Sequence, residues 1–533
     1  MYHDPIMLES IKKVEAAREA NIRIDPRRMT AEEKEILLKT YHPDYREDQF
    51  TELKIGASKG GKVPVELAEL LQGNPRISAE QVDLSKPDYD VDVLIIGGGG
   101  AGSSAAIEAD DNGASVMIVT KLRIGDANTM MAEGGIQAAD KPGDSPAQHF
   151  LDAFGGGHFA AQKDLLYKLV TDAPEAIRWL SELGVEFDKA ADGSMITTHG
   201  GGTSRKRMHA AKDYSGAEIM RTLRDEVLNR NIPVVDFTSV IELIKDDKGC
   251  CAGAVLQNME TGELLVAKAK TVVLATGGAG RLHYQGFPTS NHYGATADGL
   301  VLAYRAGARL LYPDTLQYHP TGAAFPAQIY GALVTEKVRS LGAMLINVNG
   351  EAFMNPLETR DVSAASVIRE CSDRGNGVPT PEGYAVWLDT PMIELKNGAG
   401  TIEKRIPAMM RMFGKYGIDI RKEPILIYPT LHYQNGGVKI TDDGQTDIEN
   451  LYAAGEVVGG IHGRNRLMGN SLLDIIVFGR NAGRHASEKA KAVSVGELTL
   501  DHLNAFVQER REAGIETDTV SPKLLPDYRR KSK

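Results

Sequence analysis

The stretch Val91–Gly102, read VDVLIIGGGGAG, decides the fold. An apolar run, Val93–Ile96, ends in Gly97, Gly99 and Gly102 at G-x-G-x-x-G spacing. This pattern predicts a buried strand, a tight turn and the start of a helix. Gly97 permits the turn, Gly99 lets a pyrophosphate approach the backbone, and Gly102 lets helix and strand pack closely. The helix N-terminus offers free N–H groups and the positive end of its dipole to the phosphates. Alone, the motif is a weak signal. Here a helix-like segment, Ser103–Asn112, and a second strand-like run, Ser115–Val119, follow it, as in a dinucleotide-binding unit.

Working outward, residues 271–280 read TVVLATGGAG, a second apolar run closed by glycines, and residues 451–456 read LYAAGE. Two strand-plus-glycine units far apart in one chain favour FAD, a large nucleotide commonly enclosed by two segments, over a lone NAD fold. Asn470–Gly479 opens a long helix, so the chain returns to the nucleotide fold near its end. Residues 315–430 differ in texture, being polar and arginine-rich with mixed helix and strand signals. The expected class is α/β: a Rossmann-like FAD-binding domain, discontinuous in sequence, with an inserted α+β capping domain. Its parts are 89–314 and 431–490, the cap is 315–430, and 491–533 forms a short helical tail. Residues 1–88 are an N-terminal extension, with helical patterns at Ile6–Ala20 and Thr30–Thr40. Thr30-Ala31-Glu32-Glu33 resembles a capping box. The extension reads equally well as a surface-wrapping arm or as an arm that docks another subunit.

Composition narrows the function. A chain of 533 residues with 42% hydrophobic content supports several cores. A net charge of −11 disfavours nonspecific nucleic-acid binding. Three cysteines, Cys250, Cys251 and Cys371, form no C-x-x-C pair, so no metal or iron–sulfur site of the chain's own is expected. No signal-peptide pattern or membrane-spanning apolar run is present. The expectation is a cytoplasmic protein, peripheral to a membrane only through partner subunits.

Nine ordered motifs carry a resemblance: IIGGGGAG, AEGGIQAA, VLATGGAG, QYHPTG, LVTEKVR, ETRDVSA, PTLHYQNGG, AAGEV and HGRNRLMGNSLLD. From about Asp92 to Ala486 the sequence resembles the flavoprotein subunits of succinate dehydrogenase and fumarate reductase, together with soluble fumarate reductases and L-aspartate oxidase. The resemblance implies a small dicarboxylate substrate held by His319, Thr335, His432 and Arg466. It implies hydride from flavin N5, a proton from Arg360, and a resupply of that proton through Glu336 and Arg339. Arginine suits a dianion because its planar fork matches a carboxylate bidentately. Free arginine is a poor acid, so Arg360 needs such a relay.

For FAD, the resemblance points to Gly97, Gly99, Ala101 and Gly102 at the pyrophosphate. It adds Thr120, Lys121, Asn128, Thr129, Gly134, Gly135, Asp298, Glu456, Asn470, Ser471 and Leu472. Asn128 stands where the respiratory subunits carry a histidine bonded covalently to FAD, so FAD is expected to be non-covalent. That departure favours fumarate reduction over succinate oxidation. His199, in the glycine-rich loop Thr197–Ala211, occupies the stretch where L-aspartate oxidase carries a glutamate suited to a substrate amine. It is therefore a candidate substrate contact that disfavours aspartate. Lacking metal ligands, the chain is expected to take electrons from a separate protein, an iron–sulfur subunit. The competing readings are L-aspartate oxidase, a reductase of another enoate or substituted succinate, and an electron-transfer subunit with a vestigial dicarboxylate site.

Overall fold

The computed structural model describes residues 2–526. Its central sheet grows from the decisive stretch. Tyr89–Ile96 lies parallel to Val116–Val119 on one side and to Leu264–Leu274 on the other, with Ile96 opposite both Val119 and Leu274. Leu451–Ala453 adds a further parallel strand on Leu264–Leu274. Thr238–Asp246 and Cys251–Asn258 continue the sheet as an antiparallel meander. Val93, Leu94 and Ile95 are fully buried. Burial of each such side chain contributes about 1.5–3 kcal/mol, which explains the unbroken apolar run.

The turn behaves as its glycines require. Gly97 adopts φ +119°, and a Cβ at Gly102 would collide with the Gly97 carbonyl oxygen. The helix Gly100–Asp111 starts at Gly99, and the Gly100 N–H donates to the Thr129 hydroxyl at 3.1 Å. The long helix Asn470–Ala490 packs across it through Gly479 and Gly483, which abut Ala101 and Ala105. This contact carries the start of that long helix to the mouth of the nucleotide turn.

The cap is a five-stranded sheet with helices. Leu316–Ala323 pairs with Ile425–Gln434, which pairs with Gly383–Leu388. The helix Arg360–Ser372 packs on this sheet. Trp387 and Phe413 lie fully buried in the cap's core. The strand Ile425–Gln434 runs through the expected boundary at 430, because one continuous hydrogen-bonded ladder carries the chain from the cap back to the nucleotide domain.

Two expected segments are placed by packing. The extension lies along this chain. Its helix Pro5–Ile22 sends Met7, Ile11 and Val14 into the cap core, and Ala31–Tyr41 packs Leu37 and Leu38 against Val362 and Ala365. Residues 53–71 join the core of the FAD-binding domain. The C-terminal segment is integrated rather than a free tail. Leu498–Thr499 pairs with Lys245–Asp246 at the sheet edge, and the helix Asp501–Glu512 buries Leu503 and Phe506. Residues 527–533 of the expected tail lie outside the described residues. The stretch Lys163–Leu183, whose apolar spacing is helical, forms two helices, Lys163–Thr171 and Ala173–Glu182. Pro174 supplies no N–H for a continuous ladder.

Candidate active site

A cleft enclosing about 1340 Å³ of open space runs from the nucleotide turn toward the cap. Gly97, Gly99 and Ala101 line it at the turn, with Thr120, Lys121, Asn128, Thr129, Asp298, Glu456, Ser471 and Leu472 around it. Lys121 Nζ bonds Asp298 at 2.6 Å and Thr296 at 2.7 Å. Asn128 is held on both sides of its amide. Its nitrogen donates to Asn291 at 2.8 Å and to Glu456 at 3.0 Å, and its oxygen accepts from the His292 N–H at 2.7 Å. Burial pushes the Glu456 carboxyl above its usual range, opposed by hydrogen bonds from the Gln434 N–H and Asn128. A glycine turn, a helix N-terminus and a lysine at one cleft fit the phosphates and ribose of FAD. Gly102, Gly134, Gly135 and Asn470 do not line the cleft. Asn470 is engaged with His149 at 3.0 Å, and Gly134 and Gly135 pack on Met468 and the His209 carbonyl.

His432 and Arg466 reach the far wall of the same cleft. Behind them stands a buried polar cluster. Gln317 Oε1 accepts from Arg360 Nη1 at 2.9 Å and from Arg466 Nη2 at 2.9 Å. Gln317 Nε2 is fixed by Asn465 at 3.0 Å and by the Arg466 carbonyl at 2.7 Å. Arg466 also stacks on the Tyr433 ring at 4.4 Å. His319 and His432 meet edge to face, with centroids 5.0 Å apart. His319 Nδ1 is 3.1 Å from the Thr321 hydroxyl, and His432 Nδ1 is 2.7 Å from that of Ser290. Thr335 is buried beside Glu336.

Arg360 Nε donates to Glu336 Oε2 at 2.9 Å. Arg339 Nη2 pairs with the same oxygen at 3.3 Å, and its Nη1 donates to the Pro356 carbonyl at 2.6 Å. Glu336 begins the short helix Lys337–Ser340, so the three-residue spacing puts both side chains on one turn, as expected. The Gly201 N–H donates to Glu336 Oε1 at 2.5 Å. A Cβ at Gly201 would lie 2.6 Å from that oxygen, so the close approach requires glycine.

Burial and clustered cations set the charges. Burial, then Arg360, pushes His319 well below the usual imidazole range, and burial with Arg360 and Arg466 does the same to His432. Burial and the Arg360 charge bring Arg466 down to about 9. Burial raises the Glu336 carboxyl, but Arg360, Arg339 and the Gly201 N–H outweigh it, and the net shift is downward. The result is two neutral imidazoles beside three guanidiniums around one carboxylate, a setting with surplus positive charge for a dianion.

His199 is not among the residues lining the cleft. Burial, with the charges of Lys206, Arg207 and Arg205, lowers its imidazole below the usual range, and its loop meets the cluster through Gly201. Gln317, Ser290 and Gly201 escaped the sequence reading. Gln317 lies two positions before His319 on one strand, and the two-residue period of strands puts both on one face. Ser290 and Gly201 come from loops, and no periodicity marks them.

The model of the FAD binding domain family matches residues 92–472. A subunit of the CoM/CoB fumarate reductase of Methanothermobacter marburgensis is 38% identical over 434 residues, 80% of this chain and 76% of the relative. The L-aspartate oxidase of Streptomyces coelicolor is 35% identical over 421 residues, 76% of this chain and 70% of the relative. A solved structure of E. coli quinol fumarate reductase superposes with a TM-score of 0.72 at 32% identity, covering 80% of this chain and 74% of that one. The chain thus belongs to the FAD-binding family of fumarate reductase and succinate dehydrogenase flavoproteins and L-aspartate oxidase, and is an FAD-dependent oxidoreductase acting on CH–CH bonds.

Proposed function

We propose that this chain reduces fumarate to succinate, holding FAD non-covalently and taking electrons from a separate iron–sulfur subunit. The observation that carries the reading is Arg360, bonded on one side to Glu336 and sharing Gln317 with Arg466 on the other. FAD, when bound along Gly97–Ala101, Lys121, Asp298, Glu456 and Ser471, supplies the hydride. Arg466, Thr335 and the neutral pair His319 and His432 bind the two carboxylates and orient the olefin. Arg360 delivers a proton to the carbon next to the one that receives hydride. Glu336 restores that proton, and Arg339 recharges Glu336. Burial of Glu336, Arg339 and Arg360 keeps water from competing for these protons and strengthens each charge interaction. Asn128 offers no imidazole for a covalent link to FAD, which supports a non-covalent cofactor. No helix among the described residues is long and apolar enough to cross a membrane. Membrane association would run through the electron-transfer partner.

The test is anaerobic. Chemically reduced viologen is mixed with the FAD-loaded protein, and its colour is followed after fumarate is added. Rapid bleaching that disappears in Arg360→Lys supports the reading. Turnover of aspartate with oxygen, or of a bulkier enoate, without bleaching by fumarate would overturn the substrate assignment.

A further inference from the structure

The loop 355–359, just ahead of the helix Arg360–Ser372, has two occupied faces. Its inner face serves the site: the Pro356 carbonyl accepts from Arg339, and Thr359 leads directly into Arg360. Its outer face is fastened by the N-terminal extension. Glu358 is 1% exposed. Its Oε1 accepts from the Met29 N–H at 2.8 Å, and its Oε2 pairs with Lys34 Nζ at 2.8 Å. Asn355 Nδ2 donates to the Pro26 carbonyl at 2.6 Å. On the helix that follows, Val362 and Ala365 pack on Leu37 and Leu38. The same extension reaches the strand that carries Gln317 and His319, where Asp44 accepts from the Leu316 N–H at 3.2 Å.

We infer that Glu358, held by Lys34 and Met29 of the extension, is a positioning residue that sets Arg360 and Arg339 in register with Glu336. The inference rests on the proposed role of Arg360. A buried carboxylate stays in place only while it is paired and hydrogen-bonded. Proton transfer is sensitive to displacements of about 1 Å. Among the described residues the Glu358 carboxylate is held by Met29 and Lys34 of the extension, so it converts the docking of residues 26–45 into the placement of a guanidinium. The extension thereby belongs to the active site without touching substrate.

The experiment compares Lys34→Ala, Lys34→Arg and Thr30→Ala in the FAD-loaded full chain, using reduced viologen and fumarate. Thr30→Ala removes the cap of the same helix but leaves Glu358 paired, and it controls for loosening alone. Lys34→Ala is expected to lower kcat about tenfold with KM within about twofold, because the lost placement acts in the transition state. It should also raise the solvent deuterium isotope effect as proton transfer becomes limiting. Lys34→Arg should restore most of the rate, and Thr30→Ala should keep it. Should Lys34→Ala fail to retain FAD, Glu358→Gln, which preserves volume and the Met29 bond, gives the same readout. Wild-type kcat and isotope effect in Lys34→Ala, or equal losses in Lys34→Ala and Thr30→Ala, would overturn the inference while Arg360→Lys remains inactive. Fumarate reduction surviving in Arg360→Lys would instead overturn the proton-donor role of Arg360, and absence of fumarate reduction in the wild type would overturn the proposed function.

Discussion

His319 and His432 face each other edge to face with ring centroids 5.0 Å apart, and both are held neutral inside a cluster of guanidiniums. Neither ring can gain a proton without adding a buried charge beside Arg360. A dianion would find two hydrogen-bonding imidazoles there, with the positive charge supplied by arginine.

This neutrality has a thermodynamic signature. The folded-state pKa of His432 lies below the unfolded value of about 6.5. As pH falls below that value, the unfolded chain takes up a proton that the folded chain refuses, and stability is lost. Each such histidine contributes about 1.4 kcal/mol per pH unit in that window. His42 and His149, brought by burial to about 4, act in the same direction. His158, raised first by its bond to Asp361, acts in the opposite one. Denaturant unfolding of ligand-free His432→Asn between pH 6.5 and 5 should therefore show a mean slope about 1 kcal/mol per unit shallower than wild type. Equal slopes would show that His432 is not neutral in the folded protein.

Arg360→Lys removes the fork that spans Gln317 and Glu336. A positioned general acid is worth about 10²–10⁴-fold. A loss of that size in kcat is expected, measured with reduced viologen under anaerobic conditions.

Gly201→Ala tests the carboxylate in the middle of the relay. The added Cβ would sit 2.6 Å from Glu336 Oε1, so Glu336 must move and lose its N–H donor. We expect kcat to fall at least about tenfold. FAD content should be unchanged, because Gly201 does not line the nucleotide cleft. Wild-type turnover in this variant would contradict the relay.

The cofactor linkage is checked by acid precipitation of the FAD-loaded protein. All flavin absorbance should pass into the supernatant, because Asn128 offers an amide already bonded to Asn291, Glu456 and His292. Colour retained in the washed pellet would mean a covalent link from another residue.

Much of the fold was legible in local sequence. Val93–Ile96 with Gly97 and Gly102 could be read because burial on both faces and a backbone-limited turn leave few alternatives. The strand ahead of Gly277 was legible for the same reason, and the capping box at Thr30 is a three-residue rule that the helix Ala31–Tyr41 obeys. Harder to read were the break at Asp172 and the return of residues 498–512 to the sheet edge, since pairing with Lys245–Asp246 leaves no periodic mark.

The candidate site divides along the same line. The sequence by itself determined which residue types are present: histidines, arginines and a glutamate in motifs whose chemistry suits a dicarboxylate, and glycines where a nucleotide meets backbone. Only the tertiary structure decided their partners. It joined Arg360 to Arg466 through Gln317, brought Gly201 against Glu336, left His199 off the cleft lining, and laid the extension across Glu358. These contacts link residues distant in the chain, and they form only when the cap, the nucleotide domain and the extension pack together. Local propensity acts over a few residues, whereas hydrogen bonds between buried charges depend on where whole elements come to rest.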